Sequence, residues 1–76
     1  MPTIVKIGNI KIQIFADDHN PPHFHVRTPD GKALVRISDL TIMAGNIDRL
    51  SLSIAIAWAS ENGKALEDEW KRLNEG

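Results

Sequence analysis

The chain has 76 residues, of which 42% are hydrophobic, and a formal net charge of −1 from 9 Lys and Arg against 10 Asp and Glu. This length allows one small domain, residues 1–76, with a thin core, because so short a chain buries only ~60% of its unfolded surface. The charge balance argues against wholesale attraction to nucleic acid or to membranes, though not against a local basic face, and the absence of cysteine excludes disulfides and thiolate zinc sites. No secretory signal and no apolar run of ~20 residues is visible, so we expect a cytoplasmic location without a membrane span.

The first half of the chain has the two-residue periodicity of β-strands. Thr3 to Ile7 and Ile10 to Phe15 are predicted strands, and Gly8-Asn9 between them suits a two-residue type II′ hairpin. Three more strands are expected further on, with a turn at Pro29-Asp30-Gly31, where Gly31 is able to take a positive φ. They cover His23 to Thr28, Ala33 to Ile37 and Leu40 to Ala44, after which Gly45-Asn46 breaks the last one.

The second half of the chain predicts two helices. Residues 49–59 alternate like a strand, but we favour a helix because Asn46 suits an N-cap, Asp48 suits a first turn and alanines are frequent. This helix is apolar on two sides, so one side faces the sheet and the other faces the last helix or a second subunit. After a helix stop at Asn62-Gly63, Lys64 to Leu73 forms the second helix. The fold class is therefore α+β, a four- to five-stranded, mainly antiparallel meander with two C-terminal helices on one face.

All three histidines, His19, His23 and His25, fall within seven positions. Alternation along the third strand puts His23 and His25 on its outer face together with Arg27, roughly 6.5–7 Å apart from one to the next. Two imidazoles at that spacing are able to converge on one ion or one anion. His19 precedes the strand across the stiff Pro21-Pro22 step, from which it could fold back to the same point.

This histidine cluster supports several hypotheses. Three imidazoles suit zinc or a similar divalent metal with one open position, and Asp17 or Asp18 would then orient a ligand or act as a base. Without metal, His23 and His25 would be acid–base groups beside Arg27 as a phosphate clamp, in a phosphodiesterase or ribonuclease.

Two further interpretations involve neither catalysis nor a metal. In the first, Lys11 and Arg36 join the two strand histidines and Arg27 in a modest basic patch that contacts RNA, DNA or an acidic protein, with Asp17 and Asp18 beside it in the loop. In the second, the histidines cap loop carbonyls and brace the Pro-Pro turn. Sequence-specific DNA binding has little support, because no helix-turn-helix pattern is present and the C-terminal helices are net acidic.

The segment His19-Asn20-Pro21-Pro22-His23-Phe24-His25-Val26 resembles a small prokaryotic family, domain of unknown function 4160. The similarity covers almost the whole chain, including Ala44-Gly45-Asn46-Ile47 and the helices that carry Trp58 and Trp70. The resemblance implies a compact α+β protein with the histidine segment as its hallmark. Many similar sequences carry a histidine in place of Asn62 and a proline in place of Asp48.

The resemblance also implies a function in a pair. Similar proteins are frequently encoded beside another small protein, which suggests a toxin–antitoxin-like or regulatory arrangement. We therefore expect a binding module that acts with a small protein partner or as a homo-oligomer and uses the His19–His25 segment as its functional face. The alternative is the histidine-dependent phosphodiesterase or ribonuclease, with or without a divalent metal.

Overall fold

Five strands pair in the same order in which they follow one another along the chain. The computed structural model describes residues 3–16 and 21–74. Each strand is antiparallel to the next, so they form a single meander, and two helices follow. The predicted α+β architecture is confirmed, with five strands. The elements are β1 (Thr3–Ile7), β2 (Ile10–Gln13), β3 (His23–Thr28), β4 (Gly31–Arg36), β5 (Ile42–Asn46), α1 (Arg49–Glu61) and α2 (Gly63–Asn74).

The hairpin between β1 and β2 has the predicted two-residue turn. Ile7 pairs with Ile10, and Gly8 between them has a φ of +60°. A positive φ at Gly8 but not at Asn9 is the mark of a type II′ turn, whose twist matches that of the flanking strands.

The last strand differs from its prediction in position. It begins at Ile42, because Leu40 has a φ of +60° and lies in a turn where its N–H donates to the Arg36 carbonyl at 2.9 Å. Gly45 and Asn46, which were predicted to break this strand, belong to it. Glycine is required at position 45, because the φ there is +104° and a Cβ would lie 2.4 Å from the Lys32 carbonyl oxygen.

Close backbone approach also explains the glycine that opens β4. Gly31 is able to take a positive φ, but the positive-φ glycines in the described chain are Gly8 and Gly45. A Cβ on Gly31 would lie 2.3 Å from the Asn46 carbonyl oxygen. Steric room beside β5, rather than backbone conformation, requires glycine at this position.

Helix α1 settles the ambiguity of residues 49–59 in favour of the helix. Its N-cap is Asp48, whose carboxylate accepts a hydrogen bond from the Ser51 N–H at 2.9 Å, and this bond lowers the pKa of Asp48. The predicted cap, Asn46, instead pairs with Lys32 at the end of β5. At the other end, the Asn62 side chain donates to the Trp58 carbonyl at 2.8 Å, and the predicted stop is confirmed.

Both helices pack on one face of the sheet. Ala55 and Ala59 are the buried positions of α1, and the other side of this helix leaves Leu50 71% exposed and Ile54 37% exposed. Small alanines let the helix backbone come close to the sheet, which the larger side chains would not allow. The buried core comprises Ile10, Ile12, Ile14, Phe24, Val26, Val35, Ile37, Ala55, Ala59, Leu66 and Trp70.

Of the two helices in the described part of the chain, neither is long and apolar enough to cross a membrane.

Candidate functional site

Strand β3 divides its side chains between the two faces of the sheet, as the alternation predicted. Phe24 and Val26 are fully buried in the core beneath the helices. His25 and Arg27 point to the opposite face of the sheet, where they are half-buried and exposed, respectively. We call this surface, away from the helices, the open face.

His23 does not match its prediction as an exposed partner of His25. Its side chain is only 4% exposed, and its ring centroid lies 5.3 Å from that of Trp70. Its Nδ1 donates to the Pro21 carbonyl at 2.8 Å, so His23 braces the Pro-Pro turn. This bond places the proton on Nδ1 and, in the neutral ring, the lone pair on Nε2. His23 therefore has a structural role at the start of β3.

His25 is the histidine that the open face presents. Its ring meets Phe15 edge-to-face with a centroid separation of 4.5 Å, and it lies 5.3 Å from the ring of His23. Across the strands it is opposite Gln13 on one side and Leu34 on the other. The open face around His25 thus combines two rings with an amide.

Beside His25, four cations form one row across four strands. The registers pair Lys6 with Lys11, Lys11 with Arg27, and Arg27 with Lys32. Directly paired residues share a face of the sheet, so all four side chains lie on the open face, and all four residues are exposed. The row ends at Asn46, which is paired with Lys32. We call Lys6, Lys11, Arg27 and Lys32 the cationic row.

Arg36 was predicted as a further binding cation, but it is engaged locally. It pairs with His23 across β3 and β4, and its guanidinium makes two hydrogen bonds to Asp39, Nε to Oδ1 at 3.0 Å and Nη2 to Oδ2 at 2.6 Å. The guanidinium and the Thr41 N–H hold the pKa of Asp39 well below its usual range, and Asp39 raises the pKa of Arg36. This pair fixes the β4–β5 turn and neutralises Arg36.

The structure describes only some of the residues of the predicted metal site. Asp17, Asp18 and His19 lie outside the described residues, so their positions relative to His23 and His25 are not described. Within residues 3–16 and 21–74, no group of three or more His, Cys, Asp or Glu side chains is arranged to hold a metal ion. The three-histidine metal site remains a prediction.

Sequence reasoning missed two members of the cationic row. Lys6 was placed on the outer face without a role, and Lys32 was not assigned to a face. The missing information was the register of β4 against β3, which places Lys32 opposite Arg27. A count of residues from the β3–β4 turn would have suggested it, because Thr28 pairs with Gly31 across a two-residue connection.

The fold and the open face together define a small α+β protein with one helix-covered sheet face and one polar, cationic sheet face. The chain belongs to the family described as domain of unknown function (DUF4160), whose model matches residues 9–71. The matched region includes β2 to β5, α1 and most of α2. No curated protein and no solved structure matches the chain.

Proposed function

We propose that this protein is a binding module that acts with a small protein partner in a toxin–antitoxin-like or regulatory pair. The observation that carries the proposal is the uncovered side of α1, where Leu50 is 71% and Ile54 is 37% exposed. These residues are four apart, so their side chains are neighbours on the helix surface. The helix carries no charged residue between Arg49 and Glu61.

The edge strand that precedes this helix in the chain supports the same partner. All five residues of β5 are exposed, and Ile42 is 47% exposed although it pairs with the buried Val35. The helix layer therefore does not extend over this edge. Apart from a bulge at Met43, β5 has none of the charged or proline residues that usually protect an edge strand. We call Ile42, Met43, Leu50 and Ile54 the apolar edge.

This surface defines the chemistry of its partner. An exposed strand edge binds an extended segment through backbone hydrogen bonds, and apolar side chains beside it select an apolar segment. The partner would therefore add an uncharged strand to β5 and place apolar side chains on Leu50 and Ile54. A partner that binds through charge would find no opposite charge on this surface.

The test is co-expression of the tagged full chain with the small protein encoded by the neighbouring gene. We expect a stable complex by size-exclusion chromatography with light scattering, and we expect Leu50→Glu and Ile54→Glu to abolish it. Ala65→Glu, an equivalent change at an exposed position of α2, should leave it intact. A wild-type monomer that binds nothing would refute the proposal. If the chain forms a homodimer in the absence of the neighbouring protein, the apolar edge would instead bind a second copy of the chain.

A second candidate function, phosphodiester hydrolysis, is favoured by the position of His25. It lies two residues from Arg27 on the open face, and Lys11 lies opposite Arg27. His25 would take the proton of an attacking ribose hydroxyl and return it to the leaving oxygen, while the two cations stabilise the charge on phosphorus. His23, whose Nδ1 is bonded to Pro21, would support the turn rather than the reaction.

Cleavage of RNA by the wild type and its loss in His25→Ala would support this second function. The assay is run in chelator and in zinc, with elemental analysis, so that the metal-assisted and metal-free versions are separated. No cleavage by the wild type under either condition, or equal cleavage by His25→Ala, would exclude His25 as a catalytic residue.

A further inference from the structure

The cationic row is an unfavourable arrangement unless an anion occupies it. Its three consecutive cross-strand pairs, Lys6 with Lys11, Lys11 with Arg27 and Arg27 with Lys32, are all pairs of like charge. Like charges directly opposite each other destabilise a sheet. No ion pair joins any of the four to an acidic residue anywhere in residues 3–16 and 21–74. The repulsion is therefore uncompensated within the described chain.

A groove lies along one end of this row. Its volume is about 320 Å³, which is within the range of small-ligand sites. Three cations of the row line it, together with amide and hydroxyl groups and one proline. The lining residues are Lys6, Asn9, Lys11, Gln13, Arg27, Thr28 and Pro29. A ligand in this groove would meet several positive charges and several hydrogen-bonding groups at once.

The dimensions of the row match a charged chain rather than a single ion. Neighbouring strands lie 4.7–4.9 Å apart, so four cations on four strands span ~14 Å. At a rise of 3.4 Å per stacked nucleotide, this length corresponds to about four nucleotides of one strand. The ligand would run across the β-strands along the row.

The groups beside the row favour a nucleic acid over an acidic peptide. Carboxylates only accept hydrogen bonds, whereas the exposed Asn9 and Asn46 both donate and accept, as the edges of nucleobases do. The rings of His25 and Phe15 lie one residue pair further along the same face, where a base stacks on an aromatic surface. A peptide of Asp and Glu would use neither feature.

A single strand fits this face better than a duplex. The major groove of B-DNA is about 12 Å wide and admits a helix or a two-stranded ribbon. A five-stranded sheet exceeds that width, since four strand spacings amount to ~19 Å. The open face is instead suited to a chain laid over it.

We propose that the cationic row binds the phosphodiester backbone of a single-stranded nucleic acid, with His25 and Phe15 contacting its bases. This site is independent of the apolar edge, so the protein would hold a partner on one surface and a nucleic-acid strand on another. It is also independent of cleavage, because binding requires the cations and not a proton transfer by His25.

The test is fluorescence polarisation of the full chain with labelled oligonucleotides of about 12 nucleotides, within the usual site sizes of single-strand binders. Oligo-U RNA, oligo-dT DNA, a duplex and a polyglutamate peptide serve as the four probes. Lys11→Gln/Arg27→Gln removes two charges from the row. Lys64→Gln/Lys71→Gln, at exposed positions of α2, removes two charges elsewhere and is the matched control.

We expect both single strands to bind, and an RNA preference would assign a contact to the ribose hydroxyl. Four phosphate contacts predict a slope of about −3 in the logarithm of the association constant against the logarithm of salt, a loss of about 50-fold between 50 and 200 mM. The row variant should bind at least about tenfold more weakly, with about half the slope, and the control should bind like the wild type. His25→Ala should keep the salt slope, whether or not the wild type cleaves RNA.

Three results would overturn the proposal. The first is no binding of either single strand at low salt. The second is an equal loss of binding in the row variant and the α2 control, which would show only the effect of net charge. The third is tighter binding of the duplex or of polyglutamate than of both single strands, which would assign the open face to duplex DNA or to an acidic protein.

Discussion

His23 Nδ1 donates a hydrogen bond to the Pro21 carbonyl at 2.8 Å, which closes the turn that leads into β3. The buried ring also lies against Trp70, so one histidine joins the turn, the strand and α2. His25, two residues along the strand, is half-buried on the open face and lies against Phe15. Two histidines on the same face of β3, two residues apart, thus have different environments.

This difference predicts that replacing His23 lowers the stability of the protein more than replacing His25. His23→Ala removes a hydrogen bond worth about 0.5–1.5 kcal/mol and leaves a void beside Trp70, so the free energy of unfolding should fall by at least about 1 kcal/mol. His23→Asn, which keeps a donor near Nδ1, should recover part of this loss. His25→Ala should change stability less. Urea unfolding followed by circular dichroism measures all three, and a larger loss in His25→Ala than in His23→Ala would contradict these roles.

The like charges of the cationic row predict that the row variant is more stable than the wild type. Lys11→Gln/Arg27→Gln removes all three repulsive pairs, because each pair contains Lys11 or Arg27. Its melting temperature should be higher at low salt, and the difference should shrink as salt screens the repulsion in the wild type. Thermal unfolding at several salt concentrations measures the effect. A variant less stable than the wild type at low salt would show that the row is not strained by its charges.

Adding a single methyl group at Gly45 should lower the free energy of unfolding strongly. Gly45→Ala places a Cβ at a φ of +104° and 2.4 Å from the Lys32 carbonyl oxygen. The φ costs about 1–2 kcal/mol and the clash roughly 1–3 kcal/mol more, so β5 should separate from β4. Gly63→Ala is the control, since a Cβ there has no atom within 4 Å, and it should stabilise the protein by about 0.4–1 kcal/mol. Equal unfolding midpoints for the two variants would contradict the close approach.

Because of Asp39, we expect the folded protein to lose stability in acid. Its folded pKa is below its ordinary value, chiefly because of the hydrogen bonds from Arg36, so its contribution is present above about pH 4 and is lost as the pH falls through the folded pKa. Asp39→Asn should flatten the decline of the melting temperature below about pH 4. Asp30→Asn, at an exposed turn position, is the control. An unchanged acid slope in Asp39→Asn would show that the pair with Arg36 does not couple to folding.

The sequence predicted which face of the sheet a strand side chain lies on better than it predicted which residues pair across neighbouring strands. Alternation alone placed Lys11 and Arg27 away from the core, because side-chain direction in a strand is a local property. The cationic row also needed the register of β4 against β3, which a count of residues from the β3–β4 turn would have suggested. The approach of Asn46 to Gly31, by contrast, is a contact between distant parts of the chain, and no local pattern reveals it.

The burial of His23 could not be predicted for the same reason. Local alternation exposes it, but Trp70, 47 positions later in the sequence, covers it. The N-cap of α1 shows a milder form of this limit. Asn46 and Asp48 are both good capping residues, and the pairing of Asn46 with Lys32 leaves the cap to Asp48.

Amide hydrogen exchange of the chain, alone and in complex with its co-expressed neighbour, shows directly whether a partner binds at the apolar edge. If the partner adds a strand to the apolar edge, exchange should slow in β5, residues 42–46, and in the first turns of α1 around Leu50 and Ile54. A complex that protects the open face around His25 and leaves β5 and α1 unchanged would show that the apolar edge is not the binding surface.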